Sequence, residues 1–440
     1  MAIKITEKKV GVDKNHIENK DYTEFKLSNG LLVILKEISG LKVSGILRIW
    51  HGALNEKKGE EGIAHFLEHT LLTGGSKKYN LEKSDSIKGK FGYFNAFTSL
   101  NNTVFMVDML AEDTPLFLEY VSDTAFNPKF DKKRVEEERQ RVLREIADQK
   151  SNPLFKDRNM GMEVFYGKNS PQVYNPLGKE SVVMSASIRN LKDFHKRGYY
   201  PNNMYLILVG ALPRNITESI KKNFSKFKSG NYNKVELPRN KELAGATILH
   251  TKAPELYNHE NPKESSAQLI MSFFAPTKTD EDSYAVSILS KILGWGPNSR
   301  LFVNVSQRKG LAYGISATYD GENNHGDITI SGSVHSARAD ESIDSIFEEM
   351  NKLRKELISQ ECLEGVKRMA LYEFANKFET TRDQLNALDI KLDNGLTPEH
   401  YLQKLKEVTP EKVREVAIKY LPQNRKEGKY VLLLRDPLKK

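Results

Sequence analysis

The sequence predicts an α+β protein made of two tandem homologous domains of about 200 residues each. Three observations carry this. Short runs that alternate apolar and polar residues mark strands, longer runs with apolar residues three and four apart mark helices, and the order of the two in the first half returns in the second. The 440 residues suffice for two domains. At 39% hydrophobic and 28% charged, with 28 Gly and 16 Pro, the balance is that of a chain that folds.

In chain order, a strand at 31–36 follows the turn signal Ser28-Asn29-Gly30, and a second at 43–50 alternates Val43, Gly45, Leu47 and Ile49. A buried helix at 62–72 lies between Gly59 and Gly62 on one side and Gly74-Gly75 on the other. Strands at 94–99 and 103–110 are joined by Asn101-Asn102. A helix at 114–126 ends at Asn127-Pro128, and a long charged one at 131–150 ends at Asn152-Pro153. A helical stretch at 187–196, a strand at 204–210 and a short helix after Pro213 complete a first domain, 1–228. Residues 229–246 are polar, lysine-rich and without period, which is linker composition.

The second domain, 247–440, repeats the order. A strand at 267–274 precedes a helix at 281–293, and 312–319 pairs with 327–334. The helix at 339–358 carries Ile343, Ile346, Phe347, Met350, Leu353 and Leu357 at helical spacing. Helices at 362–378 and 410–420 lead to a strand at 430–434.

Several function classes are excluded. The single Cys362 cannot make an intramolecular disulfide or a cysteine-based zinc cluster, and its amphipathic helix marks it as a small core residue. Any metal must therefore use His and carboxylates. The first 21 residues lack the apolar stretch of a secretory signal, which gives a cytoplasmic expectation. No run approaches about 18 apolar residues, so no membrane partner is expected. The net charge of +9 comes from scattered lysines without an arginine-rich arm, which argues against nucleic acid. No phosphate-cradling glycine loop is present. His51, His195, His325 and His335 have no His or acid partner at ligand spacing and are read as structural.

One segment departs from this ordinary background. Residues 65–69 read HFLEH, which on a helix stacks His65 and His69 one turn apart on one face with Glu68 beside them, the spacing at which two imidazoles grip one zinc ion. Two imidazoles leave such a site short of a ligand. The helix at 131–150 offers Glu138 and Glu145, seven apart on the stripe that carries Val135 and Val142, while Glu136 and Glu137 fall off it.

The lead-in GEEGIAHFLEH, with Glu145 lying 76 positions after His69, resembles the inverted-zincin metallopeptidases of family M16, the group of pitrilysin, insulin-degrading enzyme and the mitochondrial processing peptidase. FNAFTS at 94–99, YYPNNMYLILVG at 199–210 and RKGLAYG at 308–314 extend the resemblance over about residues 20–435. It implies two domains that each carry a mainly antiparallel sheet with helices on one face. It also implies one zinc per chain held by His65, His69 and Glu145, with Glu68 as general base and Glu138 as a supporting carboxylate. Asn95, Ala96, Phe97 and Thr98 would form the edge strand that pairs with a peptide substrate, and Asn95 is the residue a purely buried strand would not need.

The length is similar to the short subfamily, in which two chains close over a chamber, so a homodimer or a heterodimer with a related chain is expected. The rival reading is a weak or inert partner subunit. One departure bears on it. Relatives commonly carry Arg seven residues before the Tyr of GLAY, a pair that reaches the active site and holds the substrate carbonyl; the resemblance thus implies Tyr313 as a catalytic residue, but the position of the Arg holds Ser306, and the nearby Arg308, the candidate substrate-binding residue, stands five back.

Overall fold

The alternating runs become two sheets in the computed structural model, which describes residues 21–168, 170–236, 246–252, 266–426 and 430–436. The N-terminal 20 residues and half of the linker, 237–245, lie outside the described residues. The strands are β1 (Thr23–Lys26), β2 (Leu32–Glu37), β3 (Lys42–Ile49), β4 (Tyr93–Thr98), β5 (Thr103–Leu110), β6 (Met204–Gly210), β7 (Ala246–Lys252), β8 (Ser266–Phe274), β9 (Ala312–Gly321), β10 (Gly326–His335) and β11 (Tyr430–Asp436). The helices of the first half are α1 (Ile63–Thr73), α2 (Leu81–Lys88), α3 (Thr114–Phe126), α4 (Lys132–Ser151), α5 (Pro153–Tyr166), α6 (Glu180–Ser185), α7 (Ile188–Gly198) and α8 (Ile216–Phe224). Those of the second are α9 (Asp282–Gly294), α10 (Ala339–Lys355), α11 (Gln360–Asn376), α12 (Thr381–Asn394), α13 (Pro398–Glu407) and α14 (Pro410–Tyr420).

The duplication is written into the strand pairing. The first sheet runs β1-β2-β6-β3-β5-β4 and the second β7-β11-β8-β10-β9. Once β1 is set aside, the two orders superimpose. In each, the last strand enters the middle of the sheet, parallel to one neighbour (β2 or β7) and antiparallel to the other (β3 or β8), and every remaining pairing is antiparallel. Each sheet is therefore mainly antiparallel with one parallel pair. Period-two alternation sends Val43, Leu47 and Ile49 with Phe105 and Val107 into a core shared with Phe66, Phe117 and Phe194. Leu269, Met271, Ile328 and Ile330 do the same against Ile288, Leu289 and Ile346 in the second.

The described residues fall into two compact units, and no single cut separates them. The first draws on Met1–Ala147, Asn175–Glu236 and Phe378–Asp389; the second on Asp148–Tyr174, Leu237–Lys377 and Ile390–Lys440. Residues 148–174 join the second unit because Phe165 stacks on Phe274 at 4.3 Å and the buried Asp157 pairs with Arg435. Residues 378–389 join the first by polar contacts to the sheet face away from the apolar core. There Thr381 meets Ser44 at 2.7 Å, Arg382 donates to Asp108 at 2.8 Å, and Asp389 accepts from Tyr205 at 2.6 Å and from Arg48. Both faces of the first sheet are thus covered.

Other details differ from the sequence reading. The chain does not leave helix at Asn152-Pro153 but restarts, with Pro153 opening α5, where a proline lacks no needed amide hydrogen. Helix α2 (LEKSDSIK) buries only Ser84 and Ile87, too little apolar pattern to be read. Residues Leu301–Arg308 form a π-helical turn. Cys362 is exposed rather than in the core, because the buried stripe of α11 is set by Leu363, Lys367 and Ala370. No helix among the described residues is long and apolar enough to cross a membrane.

His51 is the buried histidine whose environment most clearly fixes its charge. Its ring, 3% exposed, lies against Phe194 at 4.2 Å, and Nε2 meets the Phe194 carbonyl at 3.2 Å. Gly198 makes room: a Cβ there would stand 2.1 Å from the ring. Burial, with the nearby Arg197 and His195, pushes the imidazolium down to about 4 from 6.5. A folded-state pKa below the unfolded one means stability that is complete above about 6.5 and is lost as pH falls through 4. Urea unfolding of metal-stripped protein is expected to show this loss, His51 supplying on the order of 3 kcal/mol, and His51→Gln is expected to flatten the slope. An unchanged slope in that variant contradicts the assignment.

Candidate metal centre

Helix α1 starts where only glycine fits. Gly62 has φ +103°, and a Cβ there would also stand 2.7 Å from the Leu177 carbonyl. The Glu56 carboxylate accepts from the amides of Gly62 at 3.0 Å and Ala64 at 2.7 Å, placing negative charge at the positive end of the helix. Sequence reading missed Glu56, because a loop acid six residues ahead of an N-cap has no recognisable pattern. The helix is buried nearly all round through Ile63, Ala64, Phe66, Leu67 and Leu71, and takes His65 and Glu68 inside with it.

Helix α4 comes alongside with Val135, Glu138, Val142 and Ile146 buried. Arg139 fastens it. Its guanidinium lies 5.1 Å from the Phe66 ring centre and donates to the carbonyls of Val183 and of Ala186 at 2.8 Å, the last turn of α6 and its C-cap. The two helices bring His65, His69 and Glu145 together, with one donor atom of each within 4.8 Å of the others. Glu145 Oε2 stands 3.8 Å from His65 Nε2 and 3.7 Å from His69 Nε2. Those separations are too long for hydrogen bonds. They are close to the roughly 3.3–3.6 Å between ligands that each stand about 2.0–2.2 Å from one tetrahedral ion.

Two carboxylates flank the group in opposite states. Glu138, fully buried, is engaged at both oxygens: Oε2 faces His69 Nδ1 at 3.2 Å and Oε1 accepts from Arg141 at 2.9 Å. Burial alone would raise its pKa, but His69, Thr73 and Arg141 overcome that and hold it below the usual range. Glu68, 3% exposed, accepts only from Thr98 at 3.2 Å and lies 3.9 Å from His65 Nε2. Burial pushes its carboxyl up to about 7, against the pull of His69 and Thr98. His65 is driven the other way, to about 3, by burial and by His69, so it stays a neutral nitrogen donor. Its Nδ1 is buried without a hydrogen-bond partner among the described residues. For His69 burial is outweighed by Glu138, Glu68 and Glu145, and the imidazolium is raised. The same three acids favour any cation placed there.

Strand β4 is the free edge of its sheet. Phe94, Ala96 and Thr98 turn inward, Thr98 reaching Glu68, while Tyr93, Asn95 and Phe97 are exposed. The Asn95 side chain bonds Tyr93 Oη at 3.0 Å and the Ala96 amide at 2.9 Å. The remaining site residues read from sequence belong to the second unit. Tyr313 is 93% exposed. Ser306 Oγ donates to the Ala312 carbonyl at 2.7 Å, and Arg308 donates to Asn304 at 3.0 Å.

Two imidazole nitrogens converging with a carboxylate is a donor set that zinc accepts, so the residues present fit that ion. Comparison with known proteins bears on the same segments. The model of "Insulinase (Peptidase family M16)" matches residues 32–170, which include all five residues of the centre, and that of "Peptidase M16 inactive domain" matches 185–370. The chain belongs to peptidase family M16. An "Uncharacterized zinc protease" of Rickettsia bellii is 26% identical over 378 residues, 84% of this chain and 83% of the relative, and the "Uncharacterized zinc protease YmxG" of Bacillus subtilis is 24% identical over 89% of this chain and 94% of its own length. Among solved structures, a protease from Helicobacter pylori aligns with TM-score 0.81 at 21% identity over 94% of this chain and 99% of its own. The "peptidase M16 inactive domain" from Pseudomonas fluorescens aligns with TM-score 0.80 at 20% identity over 96% and 99%. These two likenesses establish the M16 fold.

Within this M16 chain the Glu138 carboxylate meets the His69 ring at Nδ1, while Glu145 faces its Nε2. Glu138→Gln is expected to weaken zinc binding about 10- to 100-fold by releasing the ring, measured by competition with a chromophoric chelator. Unchanged zinc affinity would leave Glu138 as packing only.

Proposed function

We propose that the chain is a zinc-dependent endopeptidase that hydrolyses unfolded peptides or extended segments. The observation that carries this is the contrast between Glu138, engaged at both oxygens, and Glu68, buried beside His65 with only Thr98 on it. Zinc held by His65, His69 and Glu145 supplies Lewis acidity and water that ionises nearer neutral pH. Glu68, outside the ligand set, takes the proton of the attacking water and returns it to the leaving amine. Thr98 aims the carboxylate. Glu138, itself held by Arg141, fixes the His69 ring with Nε2 toward Glu145, where it would be one of the three ligands. The edge of β4, at Asn95, Ala96, Phe97 and Thr98, would offer backbone groups to an extended peptide once the Asn95 side chain gives up the Ala96 amide, a recognition mode that reads chain conformation more than side chains.

The second unit supports a further element. Ser306 stands where an Arg is common, its hydroxyl is turned to Ala312, and Arg308 is turned to Asn304. On this reading Tyr313 is half of a substrate clamp, the chain works as a dimer enclosing a chamber, and full activity uses an Arg and Tyr pair from a related partner chain. The same departure favours the second reading, a weak subunit of a heterodimer.

Glu68→Gln is expected to keep about one zinc per chain and lose peptide hydrolysis by about 10³-fold or more, within the range a positioned base and its environment contribute, whereas Glu145→Gln loses the zinc. Full peptidase activity in Glu68→Gln contradicts the mechanism. Native mass and light scattering are expected to give a dimer; a monomer at micromolar concentration whose turnover is on the order of 1 per second or faster would rule out the shared clamp.

A further inference from the structure

Past the C-terminal end of α1 the first unit carries a surface basin of about 620 Å³ lined by Ser76, Lys77, Lys78, Asn80, Lys83 and Lys129. No acid and no apolar side chain lines it. The lysines come from two places in the chain: three from the segment after α1 and the first turn of α2, and one from the segment after α3. A fixed backbone frame brings them together. Ser76 and Pro128 form a β-bridge, the Lys77 amide donates to the Asn127 carbonyl at 2.9 Å, and the Ser76 amide donates to the Tyr79 carbonyl at 2.8 Å.

Beneath the frame, the buried Asp123 accepts from Ser76 Oγ, from the Lys78 amide at 2.9 Å and from Asn127 Nδ2 at 2.8 Å. Its charge is thus engaged inside the frame. Lys78 is neutralised by Glu119. Lys77, Lys83 and Lys129 are exposed and form no ion pair among the described residues. Three like charges line one concavity, and a multivalent anion placed there would meet all three.

We propose that this basin binds a compact polyanion of the phosphate class carrying three or more charges. Lysine ammoniums on flexible stems close on phosphate oxygens as mobile point charges. Ammoniums gathered around one concavity match a compact, multiply charged anion better than carboxylates spaced along a peptide. This site is separate from the hydrolytic centre and does not depend on the zinc reading.

Isothermal titration of the full chain with sodium tripolyphosphate at about 0.15 M salt, where exposed charges are screened beyond about 8 Å, tests it. Saturable one-to-one binding is expected. Lys77→Ala/Lys83→Ala/Lys129→Ala, at three exposed positions, is expected to weaken it tenfold or more. Since that variant keeps His65, His69 and Glu145, heat from any zinc extraction is common to both traces. Lys221→Ala/Lys222→Ala on α8 is expected to change affinity less than twofold. Equal binding by the triple variant, an equal loss in the α8 variant, or tighter binding of tetraglutamate than of tripolyphosphate would each overturn the proposal.

Discussion

The contact between α1 and α4 is the constraint on which the centre depends, because it buries ionisable groups in apolar surroundings and decides which of them find partners. A buried carboxylate is costly unless it is hydrogen-bonded. Glu138 meets that demand through His69 and Arg141 and stays ionised. Glu68 meets it only in part through Thr98, and burial pushes it up to about 7. Much of the surrounding structure serves to hold this contact: Glu56 on the start of α1, the bare Gly62 against Leu177, and Arg139 between the Phe66 ring and the end of α6.

The second unit shows the same scaffold without the chemistry. Helix α1 follows β3 and packs on β4; α9 follows β8 and packs on β9. Both helices are buried nearly all round. In α9 the buried positions are apolar residues such as Val286, Ile288, Leu289 and Ile292 with Tyr284, Ser283 and Ser290, and none is a carboxylate or an imidazole. The duplicated fold therefore does not by itself specify a metal centre. His65, Glu68, His69, Glu138 and Glu145 do.

The parts of this arrangement legible in the sequence are those with strong periodicity or rare residue types. HFLEH announces one helical face, and Glu138 with Glu145 announces another, because polar groups interrupt stripes that Val135 and Val142 otherwise keep apolar. The strands β2 to β6 and β8 to β11 were readable from their apolar patterns, whereas the edge strands β1 and β7 were not read, nor was α2, whose buried face is only Ser84 and Ile87. Long-range contacts left no local trace: Arg48 and Tyr205 on Asp389, Arg435 on Asp157, and Glu56 on the α1 amides join positions with no shared pattern. Cys362 was misread for a related reason. Composition places a lone cysteine inside, but the phase of α11, set by Leu363 and Ala370, turns it to solvent.

The claim that two imidazoles and one carboxylate from α1 and α4 hold the ion is tested most directly by zinc-edge X-ray absorption of the purified chain, with metal content measured on the same sample. The account predicts about one zinc per chain, two imidazole ligands, and oxygen neighbours at about 2.0–2.2 Å, with the Glu145→Gln chain losing the metal. A shell of three or more imidazoles, a sulfur neighbour, or a Glu145→Gln chain with the same zinc content and spectrum would contradict it.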